Sequence, residues 1–557
     1  MASERAITQL QGVQTLALGF SLLVSYIIGT VIYRLYFHPL AKYPGPILAK
    51  ISSFPSWWHT RKQHRHLWML SLQDQYGQYM IFLQPTVCEG LLTPTGPEFR
   101  YQPNAVCINT PDGQRQIYGH RGNVRKGDSY VIWRRTVDAL NTWNSTSNEI
   151  HARKRRVLNY AFSESAIRTA EPFIHTNIDR WIELLGQHKT EGSEWSDSID
   201  MSPQTSYLVF DILGDLCFGK CFDMKEPGSD LKNVPETLTG YIKALAPVAW
   251  APWISIWIWL KPRGLDKLLA RAAPIDVRSW YQFVASCQTA RAQQQVEYEK
   301  APKSDGRKDF FHYLWQAKDP ETGFGYSLPE LNAEIGLLIV AGSDTTATVL
   351  SALFFYLTRN PSVQEKLTKE ILNEFPDYED IKGGNRLTSC RYLTAFIQEG
   401  MRMAPPFSAT PSRQALDGGI TVNNNYLPKG TLVSTAIWAA QYNPSSYSAP
   451  YAFRPERWIV GEAGSTQESV ALAESAFCAF SSGPRGCVGK NIAWLEMRIV
   501  IAKFIWTFEV IKDPESNLGG GSKGGEWGRT REDQYQLWDM SVAHRVGPKV
   551  LLKKREH

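Results

Sequence analysis

Hydrophobic and polar positions divide this chain at its start. Between Ala6 and Tyr33 there are 28 residues without a charge, and Leu16 to Ile32 is dense in Leu, Val, Ile and Phe. At about 1.5 Å per residue, roughly 20 such residues cross the hydrocarbon core of a bilayer, which predicts a transmembrane helix. The rival is a cleaved leader. Against it, the apolar run is long, shows no small-residue cleavage site and ends in Arg34, His38, Lys42 and Lys50. Those basic residues place the side they flank in the cytoplasm. In HPLAKYPGP (38–46), Pro39, Pro44 and Pro46 fix φ and disfavour helix in the residue before them, so a stiff non-helical neck follows. The pattern gives an anchor at 1–36, a neck at 37–54 and a body at 55–557.

Within the body, residues 55–76 read as one amphipathic helix. Residues 78–97 carry neither helical nor strand period and read as an insertion ahead of the strand-like FRYQPNAVCIN. Asn148 to Ser163 is helical, with His151 and Arg155 four apart on one face. The pair can reach one anionic group together or form a solvated basic face, while Arg153 and Lys154 point elsewhere, toward a protein partner. Residues 201–222 make a buried helix in which Asp211 and Asp215, lacking a third polar partner, are structural. Ala246 to Pro262 holds four tryptophans and is too short to span a bilayer, so it is either an interfacial lip or core.

Leu328 to Arg359 is apolar on nearly all sides and therefore a buried helix. Gly342, Ser343, Asp344, Thr345 and Thr346 form a polar knot in its middle. Unpartnered buried polar groups cost about 1 to 3 kcal/mol each. The knot is either a structural kink or a groove, in which a Thr hydroxyl bonds a carbonyl one turn back. Glu399 and Arg402 meet at i and i+3, with Arg457 of FRPERW as a third member, and read as architecture. APPFSATPSRQA (404–415) is extended; Phe407 to Thr410 would touch a substrate and Arg413 would pair with an anion.

Composition narrows the classes. The chain has 557 residues, 43% of them hydrophobic, and 19 Trp, which suits a large core around a flat apolar ligand and equally the ordinary packing of a large soluble enzyme. A net charge of +6 from 60 basic and 54 acidic residues is too balanced to argue for nucleic acid. Eight cysteines without paired metal spacing are the usage of reduced thiols facing the cytosol. The stretch FSSGPRGCVG (480–489) holds one of them, Cys487, between glycines. A nucleophile wants a nearby basic His and zinc wants further ligands, and the loop has neither. Haem iron needs one axial thiolate, glycines for close approach and an arginine for a propionate, so haem uses every fixed position of the loop.

At these residues the chain resembles the cytochrome P450 family. F-x-x-G-x-R-x-C-x-G is matched at Phe480, Gly483, Arg485, Cys487 and Gly489. The hinged prolines at 44–46, AGSDTT at 341–346, E-x-x-R at Glu399 and Arg402, and P-E-R-W at 455–458 follow the family's order. The resemblance implies one large, mainly α domain with a smaller β region behind one N-terminal transmembrane helix. It implies haem b, iron protoporphyrin IX, with Cys487 as axial ligand inside a loop whose Phe480 and Gly489 also face the cofactor. Arg485, Arg413, His151 and Arg155 are implied to hold the propionates. Asp344 and Thr345 are implied to deliver protons to dioxygen, and Gly342 to make room above the haem. His151 stands where the family commonly has tryptophan, and 78–97 has no family counterpart.

What the resemblance implies in function is a monooxygenase that oxidises a small, largely apolar molecule. YRLYFHPL and YPGP are similar to filamentous-fungal members of secondary metabolism. Electrons would come from NADPH-cytochrome P450 reductase, with cytochrome b5 as a further donor. The helix around Arg153 and Lys154, with Lys490, would dock the reductase. The enzyme would sit on the endoplasmic reticulum membrane with its body in the cytosol. An isomerase or dehydratase working without reductase is the alternative in the same fold, and a haem sensor without turnover is the alternative outside enzymes.

Overall fold

Helix Leu328–Arg359 is the axis of the body, and its sequence explains why it forms without interruption. Ser327 and Glu330 close a capping box at its start, with proline in the first turn, where its missing N–H costs nothing. The polar knot is absorbed rather than kinked. Ser343 Oγ donates to the Ile339 carbonyl at 2.6 Å, Thr345 Oγ1 to Ala341 at 2.8 Å and Thr348 Oγ1 to Asp344 at 2.7 Å. Around this helix pack Met201–Phe218, Glu164–Gly186, Arg391–Met403 and Lys490–Thr507, in one large core cluster rich in Leu, Ile and Phe. The computed structural model describes residues 2–77, 98–134, 140–188, 192–300 and 307–557, and the fold is mainly α with a smaller β region.

A second helix is long and apolar enough to cross a bilayer. Gln14–Phe37 spans 24 residues, about 36 Å, with mean hydropathy 2.0, and none of it is buried in the fold. Leu328–Arg359 passes the same test of composition but is 67% buried, which makes it core. The neck is fastened to the body. Residues 38–46 are non-helical, as their prolines require, and helix Ile47–Ile51 starts directly after Pro46. Leu40 and Tyr43 are buried against Val106 and Ile108, and the Pro44 carbonyl accepts the Arg100 N–H at 2.7 Å.

Where one helix was expected over 55–76, there are two, Phe54–Arg61 and Arg65–Tyr76. Gln63 takes a left-handed φ of 59° between them. The break restarts the helix at Arg65 and turns that side chain inward, where it is 1% exposed. Residues 78–97, read as an insertion, lie outside the described residues. The strand-like segment after them is a hairpin, Glu98–Gln102 against Ala105–Ile108. The tryptophan-rich stretch divides: Trp250 is buried at the end of a 3-10 turn, while Trp253, Ile256 and Trp259 on and beside helix Ile254–Leu260 are exposed. Trp253 meets Trp57 edge-on at 5.4 Å, next to the exposed Phe54 and Trp58. One half of the stretch is core and the other half is lip.

The five-stranded sheet runs Glu98–Gln102, Ala105–Ile108, Leu432–Ser434, Arg413–Ala415 and Val124–Lys126. Its register sets Lys126 opposite Arg413. Like charges placed directly across a ladder repel, so this pairing needs a reason outside the sheet.

Glu399, Arg402 and Arg457 do meet, all fully or nearly fully buried. Glu399 receives Arg402 Nε at 2.8 Å and Nη2 at 2.9 Å, Arg457 Nε at 3.1 Å and the Trp458 indole N–H at 3.0 Å. Spare guanidinium donors go to the carbonyls of Gln441, Pro450 and Ser448. Asp211 likewise finds a further partner just beyond the end of its helix, in Lys225 Nζ at 3.0 Å. Removing one member of a buried ionic network strands the others. Glu399→Ala is expected to cost about 3 to 5 kcal/mol, read as a lowered thermal unfolding midpoint by circular dichroism; an unchanged midpoint would show that the network carries no stability.

Candidate functional site

The cysteine loop is shaped by its backbone. Gly483 has φ +65°, and a Cβ there would fall 2.0 Å from the Tyr118 carbonyl oxygen, so only glycine fits. The Cys487 N–H bonds the Phe480 carbonyl at 2.9 Å and the Gly486 N–H bonds Gly483 at 3.0 Å, which closes the loop just ahead of helix Lys490–Thr507. Cys487 alone is exposed among the seven described cysteines. Burial nevertheless raises its thiol pKa, opposed by the Gly489 N–H and by the charges of Arg155 and Lys490. An accessible surface in a desolvated setting means that the sulfur lines an internal space.

The other wall is the core helix. Most of its described length is buried, yet Ala341 in its middle is exposed and Thr345, one turn on, is partly so. Glu496, on the helix that follows the cysteine loop, is buried beside Thr346, which brings that loop and the 341–345 stretch into one region. At Gly342 a Cβ would come 2.8 Å from Leu213 Cδ1, so its missing side chain admits helix Met201–Phe218.

His151, Arg155, Arg413 and Arg485 do come together, and Lys126 joins them. The His151 imidazole pKa is pushed down to about 2, first by burial and then by Arg485, Lys126, Arg155 and Arg413. Each of these four cations donates to neutral oxygens. Arg485 Nη1 bonds the Ser145 carbonyl at 2.7 Å, Arg155 Nη1 the Gly486 carbonyl at 2.6 Å, Lys126 Nζ the Trp143 carbonyl at 2.5 Å, and Arg413 Nη1 the Ser412 carbonyl at 3.2 Å. Among the described residues no acid forms an ion pair with any of them. Burial, with Arg413 next, lowers the Arg485 pKa to about 10, and burial lowers that of Lys126 further from its ordinary value. Four clustered cations without a counter-charge are costly in a protein interior. They fit an anionic cofactor edge, and the accessible thiol fits its metal, so this donor set suits a haem with two carboxylates.

Asp344 is not free. Arg545, from beyond hairpin strand Val542–His544, donates to Asp344 Oδ1 at 2.8 Å, Thr348 Oγ1 at 2.8 Å and Ser206 Oγ at 2.7 Å. Arg153 and Lys154 fail as a docking face: Arg153 pairs with Glu330, and Lys154 is fully buried, 3.1 Å from Glu330 and 3.5 Å from Glu334. Lys490 does remain exposed.

The sequence pattern missed Lys126, Arg545 and Glu496. Only Glu496 left a signal, a lone carboxylate inside the apolar run IAWLEMRIVI. Lys126 and Arg545 are single basic residues in polar segments, and nothing local marks them as buried.

The cytochrome P450 family model matches residues 62–519. Three fungal relatives are similar over nearly their whole length. Cytochrome P450 monooxygenase AKT7 of Alternaria alternata is 32% identical, covering 96% of each chain. Cytochrome P450 monooxygenase fscF of Fusarium equiseti is 31% identical, also covering 96% of each. Cytochrome P450 monooxygenase apf7 of Gibberella fujikuroi is 32% identical, covering 94% of this chain and 95% of that one. Among solved structures, the cytochrome P450DA heme domain superposes with a TM-score of 0.65 at 17% identity, covering 89% of this chain and 94% of that one.

Glu496 gives a test of the site's burial. Desolvation raises its carboxyl pKa to about 8, with Thr346 as a hydrogen-bonding neighbour opposing the shift. Between an unfolded carboxyl near pH 4.5 and a folded one near 8, the native state binds the extra proton, so this group's contribution to stability falls as pH rises through that window. Glu496→Gln is expected to flatten the decline. Thermal midpoints at pH 5 and pH 8 check it, and equal slopes in both proteins would refute the buried-acid reading.

Proposed function

The chain belongs to the cytochrome P450 family as a haem-thiolate monooxygenase, and from that premise we propose that it is a membrane-anchored oxidase of a small, largely apolar molecule in fungal secondary metabolism. One observation carries the site assignment: an accessible thiol beside four clustered cations, two of them buried, that pair with no acid among the described residues. When bound, haem supplies reductive activation of dioxygen, in which one oxygen atom enters the substrate and the other leaves as water.

The chain's own residues divide the remaining work. Cys487 Sγ would ligate the haem iron; its own N–H on the Phe480 carbonyl closes the loop, and the Gly489 N–H with the charges of Arg155 and Lys490 favours the thiolate against the cost of burial. Arg413, Arg485, Lys126 and neutral His151 would hold the two carboxylates of the haem, while Arg155 braces the loop through Gly486. On the opposite wall Thr345 spends its own proton on the Ala341 carbonyl, so its oxygen is free to accept. Asp344, fixed by Arg545, is the acid that passes protons toward that oxygen. Electrons come from NADPH-cytochrome P450 reductase, with cytochrome b5 as a second donor, docking near exposed Lys490. The anchor and the Trp253–Trp259 lip set the body on the cytosolic face of the endoplasmic reticulum, with the lip in the interface.

Two measurements test this. Reduced protein with carbon monoxide is expected to show the red-shifted band of thiolate ligation, and Cys487→Ser to lose it; a wild-type band at the histidine-haem position refutes the ligand. With added reductase, NADPH consumption should yield product, and Asp344→Asn should lower kcat about 100-fold. Product formation without reductase would favour the isomerase alternative.

A further inference from the structure

Arg65 is the most costly side chain that the reaction leaves unused. Its Nε, Nη1 and Nη2 are all buried without a hydrogen-bond partner, and the residue is 1% exposed. Its Cζ stacks 3.7 Å from the centre of the Trp250 ring and lies 5.4 Å from that of Tyr101. Stacking satisfies the face of a guanidinium and leaves its edge donors unmet. Among the described residues no acid forms an ion pair with it within 4.0 Å. The Tyr101 hydroxyl is its closest electrostatic neighbour, and the carboxylate that reaches it is that of Asp539, whose own Oδ2 is also buried and unpartnered.

The neighbours place this fork of donors on the way into the site. Trp250 is the buried root of the exposed lip. The Tyr101 hydroxyl meets Ser434 Oγ at 3.0 Å, with the unpartnered Thr410 hydroxyl beside it. Thr410 lies on the extended segment that reaches Arg413 three residues later, roughly 10 Å at about 3.3 Å per residue. The hairpin carrying Asp539 is tied to the same segment by the Ala543 N–H on the Pro406 carbonyl at 2.8 Å. The orphaned donors thus stand between the lip and the cation cluster around His151.

We propose that Arg65, with the Tyr101 and Thr410 hydroxyls, is the recognition site for a carboxylate on the substrate, so that the molecule oxidised is an apolar acid bound head to Arg65 and tail toward the Cys487 space. A planar guanidinium edge matches a carboxylate in bidentate fashion, and burial makes the match selective. This assignment rests on the monooxygenase reading given above.

Detergent-solubilised full-length holoenzyme tests it by equilibrium dialysis with dodecanoate and 1-naphthylacetate, each against its methyl ester. The carbon monoxide band is recorded first, and its absence in wild type overturns the haem reading and this inference together. With the band present, each acid is expected to bind about tenfold more tightly than its ester. Arg65→Met should abolish that preference. Acids binding no tighter than esters, or a preference that survives Arg65→Met, overturns the inference while leaving the monooxygenase reading intact. Should Arg65→Met lose the band, Tyr101→Phe and Thr410→Val take its place. Each must then reduce the preference severalfold, and an unchanged preference overturns the assignment.

Discussion

Glu399 sits at zero exposure with its carboxylate shared by Arg402, Arg457, the Trp458 indole and the Arg454 N–H, and this satisfied charge organises everything that leads to the cysteine loop. The two arginines spend their remaining donors on carbonyls at 441, 448 and 450, so helix Arg391–Met403 and the turn Pro455–Trp458 are pinned to the irregular chain between them. A segment with little regular structure needs such a tie, because its backbone groups have no ladder of their own.

The opposite electrostatic condition holds around His151. There the same fold gathers Lys126, Arg155, Arg413 and Arg485 and supplies no described acid, and the imidazole responds by giving up its proton. One cluster is closed by its own residues and is architecture. The other has no described acid to close it, which is what supports its proposed role in holding the two carboxylates of a haem. That difference separates the arginines of this protein into two kinds more cleanly than any local motif does, and Arg65, stacked but unpaired, falls with the second kind.

Apolar surface divides in a similar way. Helices Gln14–Phe37 and Leu328–Arg359 are close in composition, and only the first finds no protein to cover it. Along 246–262 the division falls inside one segment, Trp250 packing on Arg65 while Trp253, Ile256 and Trp259 stay bare near Phe54 and Trp58. An exposed aromatic rim and a buried stack therefore share one short stretch of chain.

The N-terminal apolar helix, the core helix, the Glu399–Arg402 pair and the cysteine loop were legible from residues alone. Each is a local signal: a length of apolar chain, a period of 3.6, a spacing of three, or glycines where a backbone must bend. Tertiary structure decided which charges are buried and what they face. Lys126 acquires its role from cross-strand register with Arg413, Arg545 reaches Asp344 across 201 positions of sequence, and Lys154, a plausible surface lysine by pattern, disappears between Glu330 and Glu334. Gly342 shows the same limit, since its neighbour Leu213 comes from another helix. Periodicity records which face of an element is apolar, whereas the partner of a buried charge is set by contacts between distant elements, which local sequence does not encode.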